Sequence, residues 1–251
     1  MKKLIAMLLA LVMVMALAAC APANNTESTP ATTTEATEGT TQDTTGGETA
    51  EVMTYAEYAA AELDAAVTVE CYVQAHQSWW DNKITVYAQD ADGAYFLYEM
   101  ACSEEDAAKL TEGTKIRVSG TKGEWSGEVE IMDATFEFVA DAEPFVAEAL
   151  DVTEKLADEN LIDYQNQKIA VKGATVKAIE YKNGEPGDDI YVTLTVGEAD
   201  YDFCVEMYLT GPDSDVYKAV GELAEGDKVN VEGFLYWYEG PNPHIIAVEK
   251  A

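Results

Sequence analysis

Basic side chains are scarce in this 251-residue sequence. It contains 15 Lys and Arg residues against 47 Asp and Glu residues, for a formal net charge of −32, and Arg117 is its single arginine. Proteins that bind nucleic-acid phosphates need clustered Lys and Arg side chains. The sequence therefore predicts no nucleic-acid partner, and the same charge disfavours direct adsorption to an anionic membrane surface.

Residues with catalytic or metal-binding chemistry are scarce as well. There are two histidines, His76 and His244, and the short motifs of hydrolases, zinc peptidases, P-loop proteins and dinucleotide-binding proteins do not occur. Cys71, Cys102 and Cys204 have no spacing typical of a zinc site. We therefore predict a protein that is not an enzyme and that uses no metal and no cofactor. The three cysteines are expected to be free thiols, with a Cys71–Cys102 disulfide as the alternative.

The N-terminus has the pattern of an export signal. Two lysines are followed by an uninterrupted apolar run at residues 4–19, which is short for a membrane span of about 20 apolar residues. The run ends in the sequence LAAC, and Cys20 with its small preceding residues resembles a bacterial lipobox. The resemblance implies that residues 1–19 are a lipoprotein signal peptide and that Cys20 is lipidated. The alternative is an ordinary secretory signal that contains a cysteine.

A threonine-rich segment follows the cysteine. Eleven of the thirty residues at positions 21–50 are Thr, and none is aromatic or large and aliphatic. Such a segment cannot bury enough apolar surface to offset the entropy lost on folding. Residues 20–50 are therefore predicted to be the lipidated cysteine and a disordered tether.

Two stretches 113 residues apart are nearly the same. LTEGTKIRVSG begins at Leu110 and LAEGDKVNVEG begins at Leu223, and six of the eleven positions are identical. Around each copy, alternating apolar residues and turn signals predict the order strand, strand, strand, helix, strand, strand. This order resembles the OB-fold, a five-stranded Greek-key barrel. The resemblance implies an all-β chain, mainly β with short helices, built as two tandem five-stranded OB-fold-like Greek-key barrels.

The glycines of the repeat have structural rather than chemical roles in this interpretation. Gly113 and Gly226 are predicted to end a helix in the left-handed conformation. Gly120 and Gly233 are predicted to end or bend the fourth strand at a barrel corner.

The repeat also sets the domain boundaries. We predict a first OB-fold-like domain at residues 51–140, a partly helical connector at 141–166 and a second OB-fold-like domain at 167–251. With its lipobox, tether and tandem barrels, the whole chain resembles uncharacterised bacterial surface lipoproteins. The resemblance implies a protein at the cell membrane that faces the extracellular side and contacts the membrane by its lipid anchor only.

Aromatic residues fall where OB-folds bind their ligands, which is the face of strands two and three and the loops joining strands one to two and four to five. Three of the four tryptophans lie in these two loops of the first copy. The candidate ligand-binding residues of the first copy are Trp79, Trp80, Trp125, Gln77, Asn82 and Lys122. The candidates of the second copy are Tyr236, Trp237, Tyr238 and His244. The alternative is that the tryptophans plug the ends of the barrel and belong to its core.

Exposed aromatic rings can stack on sugar rings or on bases. We therefore interpret the chain as a non-enzymatic, lipid-anchored cell-surface binding module for an extracellular ligand, with a glycan as the favoured class and a protein as another. The first alternative is a structural or assembly partner for an envelope protein. The second is nucleic-acid binding of the OB type, which the net charge disfavours. The sequence leaves the oligomeric state open.

Overall fold

The computed structural model describes residues 51–251. The predicted signal peptide at 1–19, the Cys20 anchor and the tether at 20–50 lie outside the described residues. Within the described part of the chain, no helix is long and apolar enough to cross a membrane.

Five strands form the first barrel: β1 (Ala66–His76), β2 (Lys83–Gln89), β3 (Ala94–Ala101), β4 (Lys115–Trp125) and β5 (Glu128–Phe138). They are hydrogen-bonded in the order β1-β2-β3-β5-β4, and the pairing of β4 with β1 closes the barrel. Side chains alternate between the two faces of a strand, so every second residue of β1 enters the core. These residues are Val67, Val69, Cys71 and Val73.

Two short helices accompany this barrel, α1 (Tyr55–Ala60) before β1 and α2 (Glu104–Ala107) between β3 and β4. A capping box begins α1, because the Thr54 and Glu57 side chains each accept a hydrogen bond from the other residue's backbone N–H. Ser103 caps α2. The helix therefore stands where an OB-fold has it, between the third and fourth strands.

The connector contains little regular structure. A two-residue strand, β6 (Leu150–Asp151), and two 3-10 turns, Thr153–Lys155 and Leu161–Tyr164, are its elements. β6 adds in parallel to the edge of the following strand.

Five further strands form the second barrel: β7 (Lys168–Tyr181), β8 (Ile190–Val196), β9 (Ala199–Val205), β10 (Lys228–Phe234) and β11 (His244–Lys250). They pair in the order β7-β8-β9-β11-β10, and β10 pairs with β7. Two helices, α3 (Met207–Thr210) and α4 (Asp215–Gly221), lie between β9 and β10. Since both barrels have the same strand order, the predicted fold class of two tandem OB-fold-like barrels is confirmed.

The repeated segment marks the same place in both barrels. Gly113 and Gly226 have φ angles of +85° and +91°, in the left-handed region that glycine adopts without steric cost. At Gly233 an added Cβ would lie 2.2 Å from the backbone oxygen of His244, and at Gly120 it would lie 2.7 Å from the backbone oxygen of Met132. The helices end at Ala107 and Gly221, several residues before these two glycines, so the prediction that the glycines end the helices is wrong, and they lie in turns instead. Gly120 and Gly233 lie within the fourth strand of each barrel at a shift in register, where two strands approach closely.

The three cysteines beyond Cys20 are all buried. Cys71, Cys102 and Cys204 are free thiols in the structure, as expected. Burial raises the pKa of the Cys102 thiol to about 11, so it stays protonated and unreactive near neutral pH.

A small apolar cluster lies between the two barrels. Tyr87 on β2, Phe96 on β3 and Phe234 on β10 are buried together, and Leu209 and Tyr236 of the second barrel pack against them. The described residues accordingly belong to one compact unit. Burial of three large rings between the barrels favours unfolding of both as one unit.

We predict that Phe234→Ala lowers the free energy of unfolding by about 3–5 kcal/mol, the usual cost of truncating a buried aromatic ring. The parent should unfold in one thermal transition, and the variant should separate into two because the seam between the barrels is lost. Phe138→Ala is the matched control, since that ring is partly exposed on β5. Two separate transitions in the parent would contradict this account.

Candidate functional site

The outer face of β2 and β3, which OB-folds use for ligands, is covered here by the second barrel. The Tyr87 ring stacks on Phe234 with centroids 4.4 Å apart and an interplanar angle of 7°. The Tyr87 hydroxyl also hydrogen-bonds to Nδ1 of His244 at 3.0 Å. In the first barrel, the face that OB-folds use for ligands is therefore occupied by an intramolecular contact.

Two candidates of the second barrel belong to this contact. His244 is buried, and burial lowers the pKa of its imidazole to about 4. The Tyr236 ring stacks on it at a centroid distance of 4.4 Å. Both side chains therefore support the interface, and the buried His244 offers no face to a ligand.

The loops joining the fourth and fifth strands of the two barrels meet each other. The backbone N–H of Glu239 donates to the carbonyl of Ser126 at 2.8 Å. Trp125 and Tyr238, both exposed, pack together with ring centroids 5.2 Å apart. The Trp237 ring lies against Gly127, where an added Cβ would be 2.7 Å from the indole. Trp125 is thereby paired with the second barrel and not with the other two tryptophans of the first.

Trp79 and Lys122 make contacts within the first barrel. The Trp79 indole packs against the barrel core, and its Nε1–H donates to the carbonyl of Cys102 at 2.9 Å. The buried Lys122 ammonium donates to three carbonyls at the end of α1, those of Tyr58, Ala59 and Ala61. Trp79 is thus partly buried as a plug of the barrel, and its remaining surface lines the cleft described below. Lys122 has no free donor for a ligand.

Trp80 has the opposite environment. Asp81 and Asn82 both have positive φ angles, of 47° and 62°, and Trp80 exchanges two backbone hydrogen bonds with Lys83 across them. This is the two-residue hairpin turn that Asp and Asn tolerate. The turn presents Trp80 to solvent with 77% of its surface exposed.

Trp80 lines a cleft of about 350 Å³ between the barrels. Tyr208 of α3, 56% exposed, lines the same cleft from the second barrel. Two hydrogen bonds fix this side of the cleft: the Ser78 N–H donates to the Tyr208 carbonyl at 2.7 Å, and Gln77 Nε2 donates to Glu206 Oε2 at 3.2 Å. The candidate Gln77 therefore shapes the cleft, while Asn82 lies exposed in the turn beside it.

Tyr208 is not among the site residues that the sequence predicts. The alternation after Tyr201 suggests that β9 continues to Leu209, whereas the chain turns into α3 after Val205. Glu206 begins this helix by accepting a hydrogen bond from the Tyr208 N–H. Glutamate is not among the residues that usually cap the start of a helix, so the sequence has no local signal for this turn.

The charges in the cleft cancel each other. Lys83 forms a 2.6 Å ion pair with Glu99, and both side chains are about half exposed. Glu206 is buried behind the cleft, and burial raises the pKa of its carboxyl. With its single lysine already paired, the cleft offers aromatic surface and a few polar groups rather than a site for a phosphate.

Comparison with known proteins gives no family. No family model matches the chain, and no curated protein matches it. Among solved structures, it is similar to the Ifi202 HINa domain in complex with 20-base-pair double-stranded DNA (16% identity, 74% of this chain and 100% of that chain, TM-score 0.35). A murine DNA-binding protein bound to double-stranded DNA is similar at 13% identity, 73% and 96% coverage, and a TM-score of 0.36. A replication protein A heterotrimer bound to single-stranded DNA is similar at 12% identity, 72% and 49% coverage, and a TM-score of 0.28.

These findings correct two predictions. One is the prediction that a glycan is the favoured ligand, and the other is the prediction that nucleic acid is excluded. Both are wrong, because the similar structures are described as complexes with DNA. The DNA is bound by those proteins, and a ligand of this chain has to be argued from its own residues. The assignment of a ligand therefore depends on the geometry of the cleft.

We predict opposite effects for the two adjacent tryptophans. Trp79→Ala should lower the free energy of unfolding by about 3 kcal/mol, because a packed indole is removed. Trp80→Ala should change it by less than about 0.5 kcal/mol, as for most surface substitutions. Thermal or urea unfolding of both variants measures this difference. Equal destabilisation by the two changes would show that Trp80 is a core residue and that the cleft is not a free surface.

Proposed function

We propose that this chain is a non-enzymatic binding module whose cleft between Trp80 and Tyr208 holds a nucleobase of single-stranded nucleic acid. The observation that supports it is the pair of exposed aromatic side chains, one from each barrel, on a single cleft. Every base has a flat aromatic face, so stacking on such side chains is tolerant of sequence.

The position of the cleft agrees with this proposal. It includes the loop between the first and second strands, which OB-folds use to bind oligonucleotides. Its lining combines the apolar surface of Trp80, Tyr208 and Ile84 with a few polar groups such as Ser78 and Thr85. Small-molecule sites have this mixture of apolar walls and few polar contacts.

The charge of the protein determines how such a ligand is held. A net charge of −32 repels phosphate groups, and Lys83 is engaged by Glu99. The binding energy therefore comes from stacking on the base and not from the phosphate backbone. A nucleoside and a base within a strand share this chemistry, and their responses to salt distinguish them.

For calorimetric titration of the full chain with thymidine and with a short oligothymidylate, we predict that both bind. Affinity for the oligonucleotide should stay level or rise as salt increases from about 0.05 M to about 0.5 M, because screening weakens the repulsion. Affinity for the uncharged nucleoside should not change with salt. Trp80→Ala should cost about 1–3 kcal/mol, the usual contribution of one stacked base, or roughly 5- to 150-fold.

Trp125→Ala is the matched control, because it removes an exposed tryptophan, 55% accessible, from the other side of the interface. It should leave both affinities unchanged. Absence of binding for both ligands at millimolar concentration would contradict the proposal, as would an equal loss in Trp80→Ala and Trp125→Ala.

We propose in addition that Cys20 anchors the chain by lipid to the outer side of the cell membrane. The apolar run and the LAAC sequence support this location. Cys20→Ala should release the protein from the membrane fraction of a bacterial host into the soluble fraction, since a single lipid anchor is lost. A variant that still partitions into detergent would show that another anchor holds the chain.

A further inference from the structure

Glu128 is a buried carboxyl group at the junction of the two barrels. It begins β5 and has 0% of its surface exposed. Its Oε2 atom accepts a hydrogen bond from the backbone N–H of Trp237, in the second barrel, at 2.8 Å. Its other oxygen, Oε1, has no hydrogen-bond partner. A carboxyl group this deeply buried is costly to ionise unless a cation or several donors compensate it.

The other unpartnered polar atoms lie in the same place. In the part of the chain that the structure describes, three buried side-chain nitrogen or oxygen atoms lack a partner: Tyr58 Oη, Glu128 Oε1 and Asn166 Oδ1. The Asn166 side chain contacts the Glu128 carboxyl, and the Tyr58 hydroxyl is close enough to feel its charge. Buried polar groups in folded proteins are nearly always paired, so a cluster of three requires an explanation.

Protonation of the Glu128 carboxyl group explains this cluster of unpartnered atoms. Asn166 Nδ2 donates to the carbonyl of Val129 at 3.3 Å, so the amide oxygen faces away from that acceptor and needs a donor. A neutral carboxyl group has an O–H donor, whereas a carboxylate has only acceptors. Protonation therefore removes the buried charge and supplies an O–H donor beside the Asn166 side chain.

Two neighbours of Glu128 favour its carboxylate form, the Trp237 N–H and the Asn166 side chain, but burial and the other groups that face it outweigh them. Tyr58 on α1, Tyr87 on β2, Tyr236 after β10 and Glu130 on β5 all lie within electrostatic range of Glu128. The ammonium of Lys122 is 5.1 Å from the centre of the Tyr58 ring, but its hydrogen bonds go to the carbonyls of α1. Burial, with Glu130 adding to it, raises the pKa of the Glu128 carboxyl to about 8.

We propose that the Glu128 carboxyl is a proton-dependent latch between the barrels. When uncharged, it holds the Trp237 loop of the second barrel and Asn166 of the connector against β5, and its ionisation loosens this contact. Asn166 completes the latch, because its own N–H donates to the carbonyl of Leu235 at 2.9 Å. The proposal is independent of the ligand assigned to the cleft.

The sign of the pH dependence follows from the two protonation states. An unfolded Glu has a pKa of about 4.3, and the folded pKa of Glu128 is raised to about 8. Between these values the folded chain keeps a proton that the unfolded chain has lost. The stabilisation is therefore complete below about pH 4 and is lost above about pH 8. Between these two pH values, the folding equilibrium constant falls about tenfold per pH unit.

A direct test is the titration of the full chain labelled with ¹³C in its Glu carboxyl groups. The ordinary Glu residues have finished titrating by about pH 6.5. We expect one carboxyl resonance to move between about pH 6.5 and 9.5 with a midpoint near 8, and we expect Glu128→Gln to remove it. If no resonance moves in that range, the proposal is wrong, and this result does not depend on whether the variant folds.

The second test measures folding equilibria. Glu128→Gln keeps the shape of the side chain, an acceptor for Trp237 and a donor for Asn166, but it cannot ionise. The folding constant of the parent relative to this variant should fall about tenfold per pH unit between pH 5 and 8. Glu124→Gln, an exposed acid on the same β4–β5 hairpin, is the matched control and should give a flat ratio. A flat ratio for Glu128→Gln as well would overturn the latch.

Discussion

The contact on which the structure depends most is the stack of Tyr87 on Phe234. Each ring projects from the outer face of its own barrel, and each is fully buried only because the other barrel covers it. A pair of parallel rings at 4.4 Å contributes dispersion and area burial together. It fixes the two barrels in one arrangement, and the cleft between Trp80 and Tyr208 exists only in that arrangement.

This contact also explains why the chain uses the OB architecture in an unusual way. The face of strands two and three in the first barrel is occupied internally, so the loop between β1 and β2 is what remains of the ligand surface. The strong acidity of the chain then restricts the ligand further, since unpaired cations are missing from the cleft residues that the structure describes. Aromatic stacking is the one strong interaction that remains, and a base can use it without bringing its phosphate close.

Much of the fold could be predicted from the sequence because its signals are local. Alternation of apolar residues, the Thr54–Glu57 capping box and the paired glycines depend on neighbours a few positions away. The exposure of Trp80 also follows from a local signal, because Asp81 and Asn82 are residue types that favour a two-residue hairpin turn. Burial of Tyr87, Phe96 and His244 could not be predicted in the same way, because it depends on a second barrel more than a hundred residues distant.

One signal of that burial was nevertheless present. The segments ITVYA on β2 and AYFLY on β3 are apolar on both faces, which is typical of strands that are covered on both sides. Tyr208 had no comparable signal, because its exposure depends on the turn from β9 into α3. The ligand class is the part that the sequence leaves least determined, since stacking surfaces accept more than one kind of planar ring.

The measurement that tests the central claim most directly is an NMR titration of the full chain with thymidine, observed at the tryptophan indole N–H resonances. Stacking of a base on Trp80 places its indole in the ring current of the ligand, so the account predicts a saturable shift of the Trp80 resonance. The Trp125 resonance, which belongs to the pair with Tyr238, should not move. A shift confined to Trp125, or no saturable shift of any indole resonance, would contradict the assignment of the cleft.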